Sequence, residues 1–260
     1  MKIAYYHVDA FASAIFRGNP AGVCPLDAWL PDATLQNIAA ENNLAETAFV
    51  VARDAGFDLR WFTPTIEVDL CGHATLAAAF VLFTERSFPG GQIRFHSRSG
   101  PLSVEREGEV LTLDFPSRPA TPGPTPEALR LGLGAMPAEA RKARDFLAVF
   151  DREADVRALK PDFAALRTLD CLGIIATAPG MECDFVSRFF APAAGINEDP
   201  ATGSSHCTLI PYWAQRLGKT KLFARQVSAR GGEMFCKLAG ERVRIGGHAA
   251  LYSRGELEVD

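Results

Sequence analysis

The sequence predicts an α/β (α+β) chain made of two repeated halves, each wrapping its strands around one buried helix. Three features point to this: an internal repeat, a helix that is apolar almost all round, and a proline-rich segment near the middle. The repeat is the strongest. Phe62-Thr63-Pro64 is followed nine residues after Phe62 by Cys71, and Phe190-Ala191-Pro192 is followed nine residues after Phe190 by Asp199. Both sites lead through a glycine, Gly72 or Gly203, into a helix. Upstream, Arg60-Trp61-Phe62 matches Arg188-Phe189-Phe190. Downstream, Gly100-Pro101-Leu102, Gly108-Glu109 and Leu111-Thr112-Leu113 match Gly232-Glu233-Met234, Gly240-Glu241 and Val243-Arg244-Ile245. The offset between halves drifts from 128 to 132, as loop insertions would make it do. Three matches in one order argue for an internal duplication.

The elements follow in order. Ile3 to Phe11 has strand character, a turn is expected over Arg17-Gly18-Asn19-Pro20-Ala21-Gly22, and a short strand lies around Val23. Pro31 and Asp32 begin a helix with Leu35, Ile38 and Ala39 on one face. Residues 48–52 and 59–62 read as strands. The run from Ala74 to Phe83 is apolar on every face, so other structure should enclose it. Strands are expected at 93–96, 102–106 and 110–115, punctuated by Gly100 and Gly108. Residues 116–126 carry five prolines, which suit neither a central strand nor a helix interior, and they form the candidate linker between halves. Each half should present a helix N-terminus to a cleft between them, a preferred place for a small-molecule site.

Composition narrows the function. Hydrophobic residues make up 48% and charged residues 22% of the 260, which is ordinary for a globular protein. A net charge of -4 with no Lys/Arg run gives no footprint for nucleic acid. The most apolar run is too short to span a bilayer, and the N-terminus lacks the pattern of a secretory signal. A cytoplasmic protein without membrane or nucleic-acid partners is therefore expected. The six cysteines contain no CxxC and should be reduced thiols.

The candidate chemistry gathers at the two helix starts. Unpaired backbone N–H groups and a partial positive charge make each start receptive to an anion, and Gly72 and Gly203 allow a carboxylate to approach closely. Cys71 and His73 supply polar groups in the first half; Asp199, Thr202, Ser204, Ser205 and His206 supply them in the second. His206 should lie further into its helix and be structural. Zinc is a rival use for Cys71, His73, His206 and Cys207, but Cys-Gly-His and His-Cys are not the usual paired spacings, so no metal is expected. A Cys71–His73 nucleophile is disfavoured because side chains two apart should point differently. Glu46 opens an apolar strand whose counterpart, near Gly173-Ile174-Ile175-Ala176, has no carboxylate. A glutamate there either faces solvent or serves chemistry; buried, it would suit proton transfer.

These residues resemble the PhzF-like proteins, named for the phenazine-biosynthesis isomerase and sharing the diaminopimelate epimerase fold. The resemblance runs through Val8-Asp9-Ala10-Phe11, Gly18-Asn19-Pro20-Ala21-Gly22-Val23, Asn43-Leu44-Ala45-Glu46-Thr47-Ala48-Phe49, Cys71-Gly72-His73-Ala74-Thr75, Asp199-Pro200-Ala201-Thr202-Gly203-Ser204-Ser205-His206 and Gln226-Val227-Ser228-Ala229-Arg230-Gly231-Gly232. It implies two lobes, each a strand barrel around a central helix, with residues 1–117 in the first, 118–246 in the second, and a last strand within 247–260 returning to the first. It also implies a homodimer and a cofactor-free isomerase of a biosynthetic pathway. Glu46 matches the family's proton-transferring glutamate, while His73, Asp199 and Ser204 match residues that bind substrate and assist proton movement.

The expected reaction moves a proton on a small unsaturated or amino carboxylic acid. Glu46, His73, Asp199 and Ser204 would be catalytic, and Gly72, Gly203, Cys71 and Thr202 would bind substrate. The related epimerases oppose two cysteines; here the second position is Asp199, which argues against two-thiol racemisation. An amino-acid epimerase using Cys71, or a non-catalytic binding protein of the same fold, are the alternatives.

Overall fold

A computed structural model describes residues 1–54 and 56–259; Asp260, the end of the expected last strand segment, lies outside them. The chain forms two compact units, residues 1–114 with 246–260, and residues 115–245.

The first unit runs β1 (Lys2–Ala10), β2 (Asn19–Leu26), α1 (Asp32–Asn42), β3 (Glu46–Arg53), β4 (Gly56–Phe62), β5 (Glu67–Val68), α2 (Gly72–Thr84), β6 (Gln92–Ser97), β7 (Gly100–Glu107) and β8 (Val110–Pro116). Helix α1 buries Leu35, Ile38 and Ala39, the expected face, and ends on Asn43 in the left-handed conformation that asparagine tolerates. Ten of the thirteen residues of α2 are buried, and it packs against β1, β2, β3 and β7. The turn lies earlier than the sequence suggested, over residues 11–18, because Asn19 already begins β2 and pairs with Ala10. Gly18 closes it: its φ is +64°, and a Cβ there would lie 2.1 Å from the Ala10 carbonyl oxygen.

The second unit runs β9 (Thr121–Pro122), α3 (Glu127–Leu133), β10 (Glu139–Lys142), β11 (Phe146–Val149), α4 (Glu153–Ala158), α5 (Phe163–Leu166), β12 (Ile174–Pro179), β13 (Phe185–Ala191), β14 (Ile196–Asp199), α6 (His206–Leu217), β15 (Lys221–Gln226), β16 (Gly232–Ala239) and β17 (Arg242–Gly247). The final strand, β18 (Ala249–Glu258), pairs antiparallel with β1 along its whole length.

The duplication is visible in the pairings. In the first unit β2 runs parallel to β3, β3 antiparallel to β4, β4 parallel to β6, and β6 antiparallel to β7. In the second, β11, β12, β13, β15 and β16 repeat those four relations in order. Side chains repeat too. Arg60 on β4 makes a two-pronged bond to Glu67 on β5, at 2.7 and 2.8 Å, and lies over the Phe62 ring. Arg188 on β13 does the same with Glu198 on β14, at 2.8 Å twice, and lies over Phe190. Planar two-point pairs of this kind fix direction as well as distance. They hold the segments that lead into Cys71 and Asp199.

Register sets Thr47 opposite Phe62 and Ile174 opposite Phe190, so the counterpart of Glu46 is Gly173. A Cβ at Gly173 would meet the Phe189 ring at 2.2 Å. The second unit therefore fills with an aromatic ring the space that in the first admits a glutamate side chain. Gly173→Ala should overpack this buried contact and lower stability by roughly 1–3 kcal/mol, measured by urea denaturation; an unchanged midpoint would mean that the ring moves aside freely.

Candidate active site

The first unit supplies a compact acid/base cluster. Glu46 is the first residue of β3, His73 the second of α2, and Cys71 the residue capping that helix. All three are buried, Glu46 at 9% and His73 at 5% exposure. Nε2 of His73 lies 3.0 Å from Oε2 of Glu46. Nδ1 of the same ring lies 3.1 Å from the Asn19 side-chain amide, which donates to it as placed. A neutral ring that accepts at Nδ1 carries its proton on Nε2, but the approach of Nε2 to Oε2 is not aligned as a hydrogen bond, and Oε2 is buried without a hydrogen-bond partner. Sγ of Cys71 lies 3.5 Å from Nδ1 and 4.0 Å from Nε2.

The contact between Cys71 and His73 corrects the expectation that side chains two apart diverge. Cys71 is extended, with φ −141° and ψ 113°, and precedes the helix, so helical spacing does not govern it. No side chain caps α2, and the first bond it closes is from Thr75 N–H to the Cys71 carbonyl at 3.2 Å. The N–H groups of Gly72 and His73 therefore belong to the open first turn.

Burial and charge pull against each other here. Burial draws the His73 imidazole down, but its contacts with the acidic side chains of Cys71 and Glu46 outweigh it and hold His73 well above the usual 6.5. Burial, and after it the Glu46 charge, push the Cys71 thiol up, with His73 and the Ala74 N–H offsetting only part. Cys71 is thus a neutral thiol near pH 7, beside a carboxylate and an imidazole in contact.

The second unit supplies a differently built set. Asp199 ends β14 and Thr202 follows it; both are buried. The Thr202 hydroxyl donates to Asp199 Oδ2. Gln226, at the end of β15, braces this loop: its Nε2 donates to the Asp199 carbonyl at 2.6 Å and to Thr202 Oγ1 at 3.1 Å, while its Oε1 accepts from Thr202 N–H at 2.9 Å. The Thr202 carbonyl accepts from Ser205 Oγ and from His206 Nδ1, each at 2.8 Å. Gly203 is buried and Ser204 half-buried. Arg144 donates from Nη2 to Ser204 Oγ at 3.2 Å and is itself held by the fully buried Asp145, 2.7 Å away.

His206 is the first residue of α6 and not deep within it, because the turn over Gly203 to Ser205 closes by bonds to the third residue back and stays outside the regular helix. Its ring packs against Phe185, and burial lowers its pKa to about 4, so it is neutral and structural. In the sequence none of Asn19, in the first unit, and Gln226 and Arg144, in the second, is singled out as functional; Asn19 and Gln226 lie within motifs that carry the family resemblance, and Arg144 lies in none.

Glu46, Cys71 and His73 are also the one set of three His, Cys, Asp or Glu side chains, among the described residues, whose ligand atoms gather closely enough for a metal, all within 4.8 Å. A cavity of about 300 Å3 in the first unit lies at the other end of α2, beside Phe80, Phe83, Arg106 and His248, and is separate from this cluster. No helix among the described residues is long and apolar enough to cross a membrane.

The sequence matches the family model described as phenazine biosynthesis-like protein over residues 8–255. An uncharacterized isomerase of Pseudomonas aeruginosa is 55% identical, with 100% of each chain covered. A crystal structure of a PhzF-family phenazine biosynthesis protein from Enterococcus faecalis superposes with a TM-score of 0.98 at 50% identity, again over 100% of both chains. A hydroxyproline epimerase from Agrobacterium vitis shares the fold, with a TM-score of 0.62 at 10% identity over 98% of this chain and 92% of that one.

The two buried histidines should titrate in opposite directions. His73, held up, contributes stability that is complete below about 6.5 and is lost as pH rises through its folded value. His206, held down, contributes stability that is complete above about 6.5 and is lost as pH falls toward about 4. NMR titration of the ring signals checks both; a His73 ring that is neutral at pH 6.5 would contradict the pairing with Glu46.

Proposed function

The chain belongs to the phenazine biosynthesis-like (PhzF) family, whose bacterial relatives include isomerases, and from this we propose that it is a cofactor-independent isomerase moving a proton on a small unsaturated or amino carboxylic acid. The observation that carries the reading is the buried contact of 3.0 Å between Glu46 and His73. A carboxylate takes a proton from carbon well only when it is positioned and can pass that proton on. In this reading Glu46 removes the proton from a carbon next to an unsaturated or carbonyl system and returns it elsewhere. His73 holds the carboxylate and shares the proton through Nε2. Asn19 fixes the ring by its bond at Nδ1.

Binding of the substrate carboxylate falls to backbone N–H groups near Gly72 and His73. The second unit's Gly203, Ser204, Asp199 and Thr202 offer a further set of polar groups for binding and orienting a ligand. Gln226 and Arg144 are positioning residues, the first for the Asp199 loop and the second for Ser204. Cys71, a neutral thiol beside the pair, contributes packing and no base. Its opposite number in the repeat is Asp199 and not a second thiol, which supports isomerisation over two-thiol epimerisation. We also place the protein in the cytoplasm as a homodimer; sedimentation showing only monomer at micromolar concentration would contradict the latter.

Solvent-deuterium incorporation into candidate metabolites, followed by mass spectrometry, tests the reaction. Glu46→Gln keeps shape and a hydrogen-bonding head but removes the base, so exchange should fall by ~10²–10⁴-fold while binding changes little. Cys71→Ser should keep substantial exchange. Near-normal exchange in the Gln variant would remove Glu46 as the base, and complete loss in a folded Ser variant would restore the epimerase reading.

A further inference from the structure

We propose that Glu46, Cys71 and His73 form a binding site for a thiophilic divalent cation, zinc being the representative case, whose occupancy ties up the proton-transfer pair. The spacing of Cys71 and His73 in the sequence argues against a metal, but it omits the third donor. The fold adds Glu46 from β3, and the three ligand atoms then lie within 4.8 Å of one another. With metal–sulfur bonds of about 2.3 Å and metal–nitrogen or metal–oxygen bonds of about 2.0–2.2 Å, tetrahedral ligand atoms sit roughly 3.3–3.6 Å apart. With Nε2 as the ring's ligand atom, the separations lie on either side of that range: 3.0 Å from Nε2 to Oε2, 4.0 Å from Sγ to Nε2, and no more than 4.8 Å between any two ligand atoms. Metal binding therefore requires the Cys71 side chain to move toward the other two donors.

The donor types are right as well. Thiolate, imidazole and carboxylate are all zinc ligands, and a thiolate selects against magnesium and calcium. Three protein donors leave a fourth position for water, as in open zinc sites. Nε2 is the ring's ligand atom, because Asn19 engages Nδ1 at 3.1 Å. With its amide turned to present oxygen, Asn19 accepts the Nδ1–H bond and becomes the outer partner that orients a metal-bound histidine. Charge closes too: the Glu46 carboxylate and a Cys71 thiolate neutralise a dication, so no net charge is added to a buried place. Binding releases the Cys71 proton to solvent, and with it the His73 proton where that ring is charged, so zinc binding tightens as pH rises.

The test uses the full chain without substrate, so its failure leaves the proton-transfer reading standing, and failure of that reading leaves this one standing. Zinc chloride is titrated by calorimetry, and cobalt(II) chloride by absorption. One metal per chain is expected, with near-ultraviolet thiolate-to-cobalt absorption and the strong visible bands of a four-coordinate ion. Cys71→Ser should abolish the thiolate band and weaken zinc by more than the ~10–100-fold that loss of an outer partner costs, which is the loss expected of Asn19→Ala. Glu46→Gln, which keeps the thiol, should weaken zinc while retaining the band. Absence of stoichiometric binding to the unmodified protein would overturn the proposal. So would a thiolate band that survives in Cys71→Ser, or an unchanged affinity in folded Glu46→Gln.

Discussion

A helix with no polar face cannot lie on a surface, and most of the first unit follows from that constraint. Ten of thirteen residues of α2 are buried, from His73 to Phe83. Strands must therefore surround it, and β1, β2, β3 and β7 do. Apart from Thr84 at its far end, the polar side chains of the helix, His73 and Thr75, are at its start, and enclosing the rest leaves that start beside the first residues of β2 and β3. Asn19 opens β2 and Glu46 opens β3, so both come within reach of His73. The site is in this sense a by-product of wrapping: the apolar helix dictates the sheet, and the sheet ends dictate which side chains meet.

A buried carboxylate and a buried imidazole are each costly alone, since burial disfavours whichever form is charged. Together they offset much of that cost. In His73 the opposing influences of burial and of neighbouring charge are resolved in favour of a raised value. In Cys71, burial and the same Glu46 charge act in one direction and keep the thiol protonated. Glu46 thus adds to the effect of burial at Cys71 and opposes it at His73. In the proposed reaction this leaves the carboxylate–imidazole pair as the mobile-proton element.

Much of the fold was legible in the sequence because its signals are periodic or repeated. The face of α1 at Leu35, Ile38 and Ala39, the apolar run of α2, and the matches of Arg60 with Arg188 and Phe62 with Phe190 all reappear as structure. What was not legible depends on position in space. The contact of Cys71 with His73 turns on an extended backbone before the helix, which residue spacing does not reveal. The start of α6 at His206 depends on a tight turn over Gly203 to Ser205. Gln226 lies far along the chain from Asp199, and Arg144 far from Ser204, so neither partnership shows in the spacing of residues.

The two halves share a frame yet have diverged at the positions that matter for chemistry. Gly173 stands where Glu46 does, and the Phe189 ring fills the space. Asp199 stands where Cys71 does, and Gln226 and Thr202 lock it by hydrogen bonds. A carboxylate that accepts from a neighbouring hydroxyl, on a backbone braced by Gln226, suits the orienting role proposed for it, because its geometry is fixed before anything binds. A carboxylate against an imidazole suits the proton exchange proposed for Glu46. Both units keep the same two-pronged arginine brace, so the frame around each helix start is alike while its side chains differ. In the proposed reaction that asymmetry divides positioning from proton transfer between two copies of one scaffold.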